Sequence, residues 1–412
     1  MSKTKITLLY ADEEGEIFDA PGVSAAGRSG NQNIPLRRED LIPLPESADL
    51  MYLPDRMPVG EKDGELLPVS GQAVAALLPA GYTRIYMPAF QKTEAAQTLP
   101  LYGYTAVALY KDEMYAAAIY TDENSKWDPA RYNTDNLPEL INKVKRDVPG
   151  NRLVEHLANC SLQWHCCTAQ NLFYGRWEAG IPVSPVCNAD CLGCISLQAA
   201  ECCPSPQSRI DFSPSPDEIA QIGSYHLSRA ADAIVSFGQG CEGEPSLAAD
   251  NIVPALKMIR ARTDKGQINI NTNAGFTDGI ARLADAGLNS MRVSIISAVS
   301  ENYKAYYRCN YELEDVIDSI RYAKKKNVYV SLNMLYFPGF NDSKTEAAAW
   351  RKFLRSVSVD MIQVRNLNID PDLFAQIMPE FSPALGTKMF FGGLKGEFSA
   401  VSIGSFSHYQ NK

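Results

Sequence analysis

The sequence has no apolar run approaching the ~20 residues of a membrane-spanning helix. It also has no excess of positive charge, since its formal net charge is -9. The first absence excludes a helical membrane span. The second argues against broad electrostatic binding to nucleic acid or to an anionic membrane surface, while leaving room for a local basic groove. Near the start, Met1-Ser-Lys-Thr-Lys-Ile-Thr-Leu-Leu-Tyr10 holds only a short apolar run before Ala11-Asp-Glu-Glu, too short for the core of a secretory signal. A cytoplasmic location is therefore expected, without nucleic-acid or membrane partners. In that compartment the ten cysteines are free thiols or metal ligands rather than disulfides. A sustained helical period is missing from the first hundred residues, which prolines and glycines interrupt, as in Ile42-Pro-Leu-Pro45 and Met57-Pro-Val-Gly60.

What is present divides the 412 residues in two. Residues 1–150 read as a small strand-rich domain of unassigned role. Its clearest signal is a hairpin of two β-prone runs, Thr105 to Tyr110 and Met114 to Tyr120, around a three-residue connection Lys-Asp-Glu. Arg28-Ser-Gly-Asn-Gln-Asn33 superficially suits a phosphate loop, but no strand leads in and no helix follows, so it reads as a turn. Leu137 to Val148 and Arg152 to Leu162 have the pattern of linking helices. Residues 151–412 then alternate strands and helices, the signature of a parallel sheet. Six strands are expected: the run Ile181 to Val186, then Ala233 to Phe237, Gln267 to Asn271, Ser290 to Ile295, Val328 to Tyr336 and Val359 to Arg365. The fold class is α/β, a partial or full parallel (β/α) barrel of about six strand–helix units, TIM-barrel-like, with a strand-rich N-terminal domain. Chemistry in such barrels sits at the carboxyl ends of the strands.

The most informative stretch is Cys187-Asn-Ala-Asp-Cys191-Leu-Gly-Cys194, which follows the first expected strand. Three thiols spaced Cys-x3-Cys-x2-Cys can turn towards one point. On a 4Fe–4S cube they would leave one iron open, whereas ordinary clusters use four cysteines. The competing reading is a structural zinc site closed by Cys202 or Cys203. After the second strand comes Gly238-Gln-Gly-Cys-Glu-Gly-Glu-Pro245, where glycines let backbone approach a ligand beside two carboxylates.

With that turn, the triad resembles the radical S-adenosylmethionine (radical SAM) superfamily over about residues 180 to 370. The resemblance implies that Cys187, Cys191 and Cys194 ligate a 4Fe–4S cluster whose open iron is chelated by S-adenosylmethionine (SAM). It implies reductive cleavage of SAM to a 5′-deoxyadenosyl radical that abstracts hydrogen from a substrate, with a flavodoxin or ferredoxin as electron donor. Gly243, Glu244 and Pro245 match the family's Gly-Gly-Glu-Pro turn, which receives the methionine amine. Asn271 and Asn273 match the family's stretch after the third strand. Ser294 falls where a hydroxyl often meets ribose or carboxylate, and Arg308 is placed to hold the carboxylate. The Tyr336-Phe-Pro-Gly339 turn is where the adenine would lie. Two positions depart from the family: Gly193 replaces a usual aromatic beside the adenine, and Glu242 replaces the first glycine of the turn.

Arg365, Asn366, Asn368 and Asp370, at the end of the sixth strand, are candidate substrate contacts; the alternative is that Asp370 simply caps the helix beginning at Pro371. Cys160, Cys166, Cys167, Cys202 and Cys203 flank the triad and are candidates for an auxiliary cluster, with His156 or His165 nearby; the alternative is packed or spare thiols. No cysteine follows Cys309, against the C-terminal auxiliary-cluster extension of many peptide-modifying relatives. The substrate is expected to be a small molecule or a partner protein that receives a radical. A non-catalytic zinc-binding interaction protein is the alternative from another class.

Overall fold

In the computed structural model, residues 6–99, 101–197, 205–379 and 381–410 are described. The N-terminal part is an antiparallel sheet of 13 strands running from Thr7–Ala11 to Glu113–Tyr120. The expected hairpin is there, as Tyr104–Tyr110 against Glu113–Tyr120. Its connection is two residues rather than three. Lys111 and Asp112 both take positive φ, 53° and 61°, as a turn matched to the right-handed twist of a hairpin requires. Glu113 is thereby freed to pair with Tyr110. Gly30 (φ 56°) and Asn31 form another two-residue connection between Ser29 and Gln32, so this stretch is a hairpin tip.

The linking helices are Leu137–Asp147 and Arg152–Gln163, followed by a third, Cys167–Tyr174, that the sequence reading missed. That third helix is only eight residues long and ends on Gly175 in the left-handed conformation (φ 67°).

Seven parallel strands then follow in chain order: Glu178–Gly180, Ile234–Phe237, Gln267–Thr272, Ser290–Ile295, Tyr329–Tyr336, Met361–Asn366 and Ser402–Gly404. Among the described residues the first and last do not pair, so the barrel is partial. Two expectations change. A short seventh strand was not foreseen, and the first strand ends before the run Ile181 to Val186. Ile181 N–H still reaches Ser236 O (2.9 Å), but the second strand ends at Phe237 and offers no ladder beyond. Instead the Glu242 carboxylate takes the N–H groups of Val183 (2.7 Å) and Ser184 (3.1 Å). The run is buried from Ile181 to Ser184, while Val186 is exposed, and it is held by a side chain rather than a neighbouring strand.

The fourth strand shows how the layers form. Met291, Val293 and Ile295 are fully buried, while Ser290, Arg292 and Ser294, alternating with them, point to the barrel lumen. Outside lie helices such as Leu313–Lys325 and Lys344–Ser356, whose Ile320 and Trp350 are fully buried. Each side chain of this size adds about 1.5–3 kcal/mol on burial. The lumen is polar: Ser236 Oγ donates to Glu178 (2.7 Å), Asn269 Nδ2 to Ser236 Oγ (3.1 Å), and Gln363 Nε2 to Ser331 Oγ (3.0 Å).

The N-terminal sheet sits on the carboxyl ends of the fifth and sixth strands. Gly30 N–H donates to Pro338 O (2.8 Å). The approach is so close that a Cβ on Gly339 would lie 2.2 Å from Gly30 N. Arg84 donates to Leu367 O, and its backbone N–H to Asn366 Oδ1 (3.0 Å). Asp370 is fully buried beneath this contact.

Candidate cofactor site

Cys187, Cys191 and Cys194 all line one cavity of about 300 Å³. Bordering it are Gly243 and Glu244 from the turn after the second strand, Asn271 and Asn273 from the third, and Arg292 and Ser294 from the fourth. A larger cavity of about 480 Å³, on the outer helices by Asp147, Tyr225 and Arg262, contains none of these groups.

Backbone and carboxylates hold the two principal loops together. Gly243 N–H donates to Ser184 O (2.7 Å) and Glu244 N–H to Val186 O (2.8 Å). A Cβ on Gly243 would stand 2.0 Å from Val186 O, so only glycine lets the turn lie against the entry to the cysteine loop. Glu242, replacing the family's glycine, accepts four backbone N–H groups, including those of Gly238 (2.7 Å) and Gln239 (2.6 Å). Burial pushes its carboxyl up to about 8, and the four donors pull the other way. The Glu244 carboxylate is taken up by Ser246 N–H (2.9 Å), Thr272 Oγ1 (2.5 Å) and Asn273 N–H (2.8 Å). It ties the second strand's turn to the end of the third. What this turn offers a ligand is therefore backbone. Asn273 Nδ2 donates to Asn188 Oδ1 (2.6 Å), which links the third strand to the cysteine loop.

Burial raises the Cys187 and Cys191 thiols above their ordinary range, so a metal bound there would displace their protons. The Arg209 guanidinium lies 3.5 Å from Cys194 Sγ and donates to Ser196 Oγ (3.1 Å). The sequence reading overlooked it, for nothing in the spacing singles it out.

Several expected residues lie elsewhere. Arg308 is not in the cavity lining: it pairs with Asp190 (3.0 Å) and donates to Asp190 O (2.6 Å), so it braces the cysteine loop from outside. The Tyr336-Phe-Pro-Gly339 turn is packed under the N-terminal sheet, with Tyr336 and Phe337 fully buried, and none of its residues lines the cavity. Asp370 is a helix cap and an ion-pair centre, accepting from Asp372 N–H (2.9 Å), Leu99 N–H (3.0 Å), Arg56 (3.4 Å) and Lys92 (3.2 Å). Asn366 bridges to Arg84 N–H and Tyr82 O. Both are spent on the contact between the two sheets, which corrects their assignment to substrate. Asn368 is exposed and close to Gly103, and Arg365 lies 5.3 Å from the Phe406 ring centroid.

Tyr306 also lines the cavity. A Cβ on Gly193 would lie 2.7 Å from its hydroxyl, so this ring occupies the space beside the glycine that stands where an aromatic was expected. Its backbone carbonyl accepts from Leu192 N–H (3.1 Å).

Of the auxiliary-cluster candidates, Cys202 and Cys203 lie outside the described residues. Cys160 is grouped with His156 and with Cys241, which was not among those candidates. Cys166 donates its N–H to Cys160 O (3.1 Å), and the Cys167 thiol faces His165 O (3.9 Å). Of the expected five, only Cys160, Cys166 and Cys167 are among the described residues.

A family model described as the radical SAM superfamily matches residues 181–350. Residues 181–350 are a radical SAM domain. Radical SAM enzymes use a 4Fe–4S cluster and SAM, and the donor set suits such a group: three thiols on one wall, with no fourth cysteine lining the cavity among the described residues. No curated protein matches the sequence. Solved structures similar to the chain include HydG, a maturase of the FeFe-hydrogenase, at 16% identity and TM-score 0.38, covering 66% of this chain and 62% of that one. The match thus spans less than two thirds of HydG. Methylornithine synthase (PylB) gives 15% identity and TM-score 0.38, covering 66% of this chain and 74% of that one. SuiB of Streptococcus suis gives 12% and 0.39, covering 76% and 72%. All three scores are too low to carry substrate or partner across to the radical SAM domain described here. Among the described residues no helix is long and apolar enough to cross a membrane.

Proposed function

We propose that this chain is a radical SAM enzyme acting on a polar substrate held in the barrel lumen. Cys187, Cys191 and Cys194 hold the cluster, with Arg209 directing positive charge at the Cys194 sulfur. The backbone around Gly243 receives the methionine amine, and Asn271, Asn273 and Ser294 meet the remaining polar groups of SAM. Tyr306 flanks the adenine in place of the missing aromatic. When bound, the cluster and SAM supply a 5′-deoxyadenosyl radical able to take hydrogen from the substrate. The protein binds, orients and shields from water.

The observation that carries this reading is the convergence of the three thiols and the Gly243–Glu244 turn on one cavity. The polar lumen supports the substrate class. A packed barrel interior is normally filled by branched aliphatics, whereas here it presents Asn269, Ser290, Arg292, Asn333 and Gln363. Arg292 Nε is buried without a partner, so the lumen holds donor capacity that the fold does not use. At the amino-terminal end the tail crosses beneath: Gln410 O accepts from Gln267 Nε2 (2.6 Å) and Gln410 N–H donates to Gln267 Oε1 (3.1 Å). Entry is thus from the carboxyl ends.

Anaerobic reconstitution with iron and sulfide should give a cluster absorbance that C187A/C191A/C194A lacks. Reductant and SAM should then release 5′-deoxyadenosine; no release from protein with a full cluster would sink the catalytic reading. Metabolite comparison between anaerobic cells with and without the protein would then seek a polar substrate. A single stoichiometric protein captured instead would favour a partner-protein substrate.

A further inference from the structure

A second group of metal-ligating side chains lies behind the cofactor turn. His156 and Cys160 stand one helical turn apart on Arg152–Gln163, a spacing that puts both on one face. His156 Nε2 is 3.5 Å from Cys160 Sγ. Cys241, from the turn after the second strand, completes the group, and all three donor atoms lie within 4.8 Å of one another. Cys160 and Cys241 are buried, at 2% and 4% exposure.

We infer that His156, Cys160 and Cys241 form a binding site for a single thiophilic divalent ion, with zinc the fitting choice. Two thiolates and an imidazole are a soft-to-borderline donor set of the kind zinc takes. The spacing favours one ion over a cluster. Around a tetrahedral ion with Zn–S about 2.3 Å and Zn–N about 2.0 Å, donors sit roughly 3.5–3.8 Å apart. In a 4Fe–4S cube each thiolate binds its own iron, which spreads the sulfurs further. Among the described residues no other three such donors, Cys187, Cys191 and Cys194 included, lie within 4.8 Å of one another. A fourth donor would complete the tetrahedron.

The location gives the ion a role. Cys241 lies between Gly240, which lines the cofactor cavity, and Glu242, whose carboxylate gathers four N–H groups from the two loops around that cavity. An ion there fastens the linking helix Arg152–Gln163 to the turn that borders the cavity.

The test uses the full-length C187A/C191A/C194A variant, so that the cofactor cysteines contribute no metal. Purified without chelator from zinc-supplemented cells, it should hold about one zinc per chain. Adding C241S, or separately H156A, should remove that zinc, while C309S as a thiol-loss control should leave it. Cobalt exchanged into the triple variant should give thiolate-to-metal absorption and intense tetrahedral bands that C241S abolishes. Circular dichroism of each variant separates loss of metal from loss of fold. Retained zinc in C241S would overturn the assignment, as would a folded triple variant holding no zinc. So would several irons per chain that vanish with C241S. None of these outcomes depends on SAM cleavage, so the assignment stands or falls apart from the proposed activity.

Discussion

The carboxyl ends of the first four barrel strands and those of the fifth and sixth look alike in sequence but serve different ends. Both carry polar and charged residues just beyond an apolar run. At the first four, donors and acceptors face a cavity, and residues such as Arg292 keep capacity in hand. At the fifth and sixth, the N-terminal sheet has taken up that capacity. Asp370 is surrounded by Arg56, Lys92 and backbone N–H groups, Asn366 by Arg84 and Tyr82, and Pro338 O by Gly30. A charged residue at a strand end is therefore available to a ligand only where no other part of the chain has satisfied it. Here the N-terminal sheet makes that difference.

Two variants should separate the two rims most sharply. Replacing Cys187, Cys191 and Cys194 with alanine should abolish both the cluster absorbance and release of 5′-deoxyadenosine, with little change in the unfolding midpoint once cluster-free proteins are compared. Asp370→Ala should do the reverse. It strands Arg56, whose side chain is 1% exposed, without its carboxylate, and breaking a buried pair in this way costs about 3–5 kcal/mol. Denaturant unfolding should show that loss, while protein still folded should cleave SAM at its usual rate. Loss of SAM cleavage in folded Asp370→Ala would return Asp370 to the catalytic rim and break the comparison.

The division between legible and illegible features follows the same physics. The fourth strand, Ser290–Ile295, is where its alternation of polar and apolar residues put it, because a parallel strand facing helices on one side declares its period locally. The cysteine loop was legible for a like reason, as its donors are close in sequence. The first strand was misplaced because the Glu242 carboxylate, far along the chain, substitutes for the missing ladder. The seventh, Ser402–Gly404, has three residues and no apolar run to announce it. Asp370 was ambiguous because its cationic partners, Arg56 and Lys92, lie in the other half of the chain. Tyr306 reads as core in any local pattern, and only the fold sets its hydroxyl beside Gly193.

Within the open rim, Tyr306 offers a finer cut. If its ring flanks the adenine, Tyr306→Leu should weaken SAM binding by about 0.5–1.5 kcal/mol, a factor of roughly 2–12 in Kd, beyond any effect on cluster content. Tyr306→Phe should keep most of the affinity. Equal SAM affinity in all three proteins, measured on the reconstituted cluster, would show that the ring packs the cysteine loop and nothing more.

The smallest effect is expected at the far end of the barrel, where the tail is tied by Asp122. Its carboxylate accepts from His408 (2.9 Å) and from the N–H groups of Ser405 (2.7 Å) and Phe406 (3.2 Å). The hydrogen bond His408 donates to Asp122 raises His408, ahead of the opposing effect of burial. Burial alone would raise Asp122, but the bonds from His408 and the tail outweigh it and hold the carboxyl below its ordinary range. The signs then follow. The His408 contribution is complete below about pH 6.5 and is lost as pH rises through the elevated folded value; the Asp122 contribution is complete above about pH 4 and is lost as pH falls through the depressed one. The tail is held most firmly between those limits. Because His408 is half exposed, the change is small. Hydrogen exchange at Ser405 and Phe406, corrected for the intrinsic rise of exchange with pH, should lose protection from pH 6 to 8 in the wild type and change less in His408→Ala. A matching loss in the variant would leave the closed end of the lumen independent of this pair, and the pH response would have to come from elsewhere in the barrel.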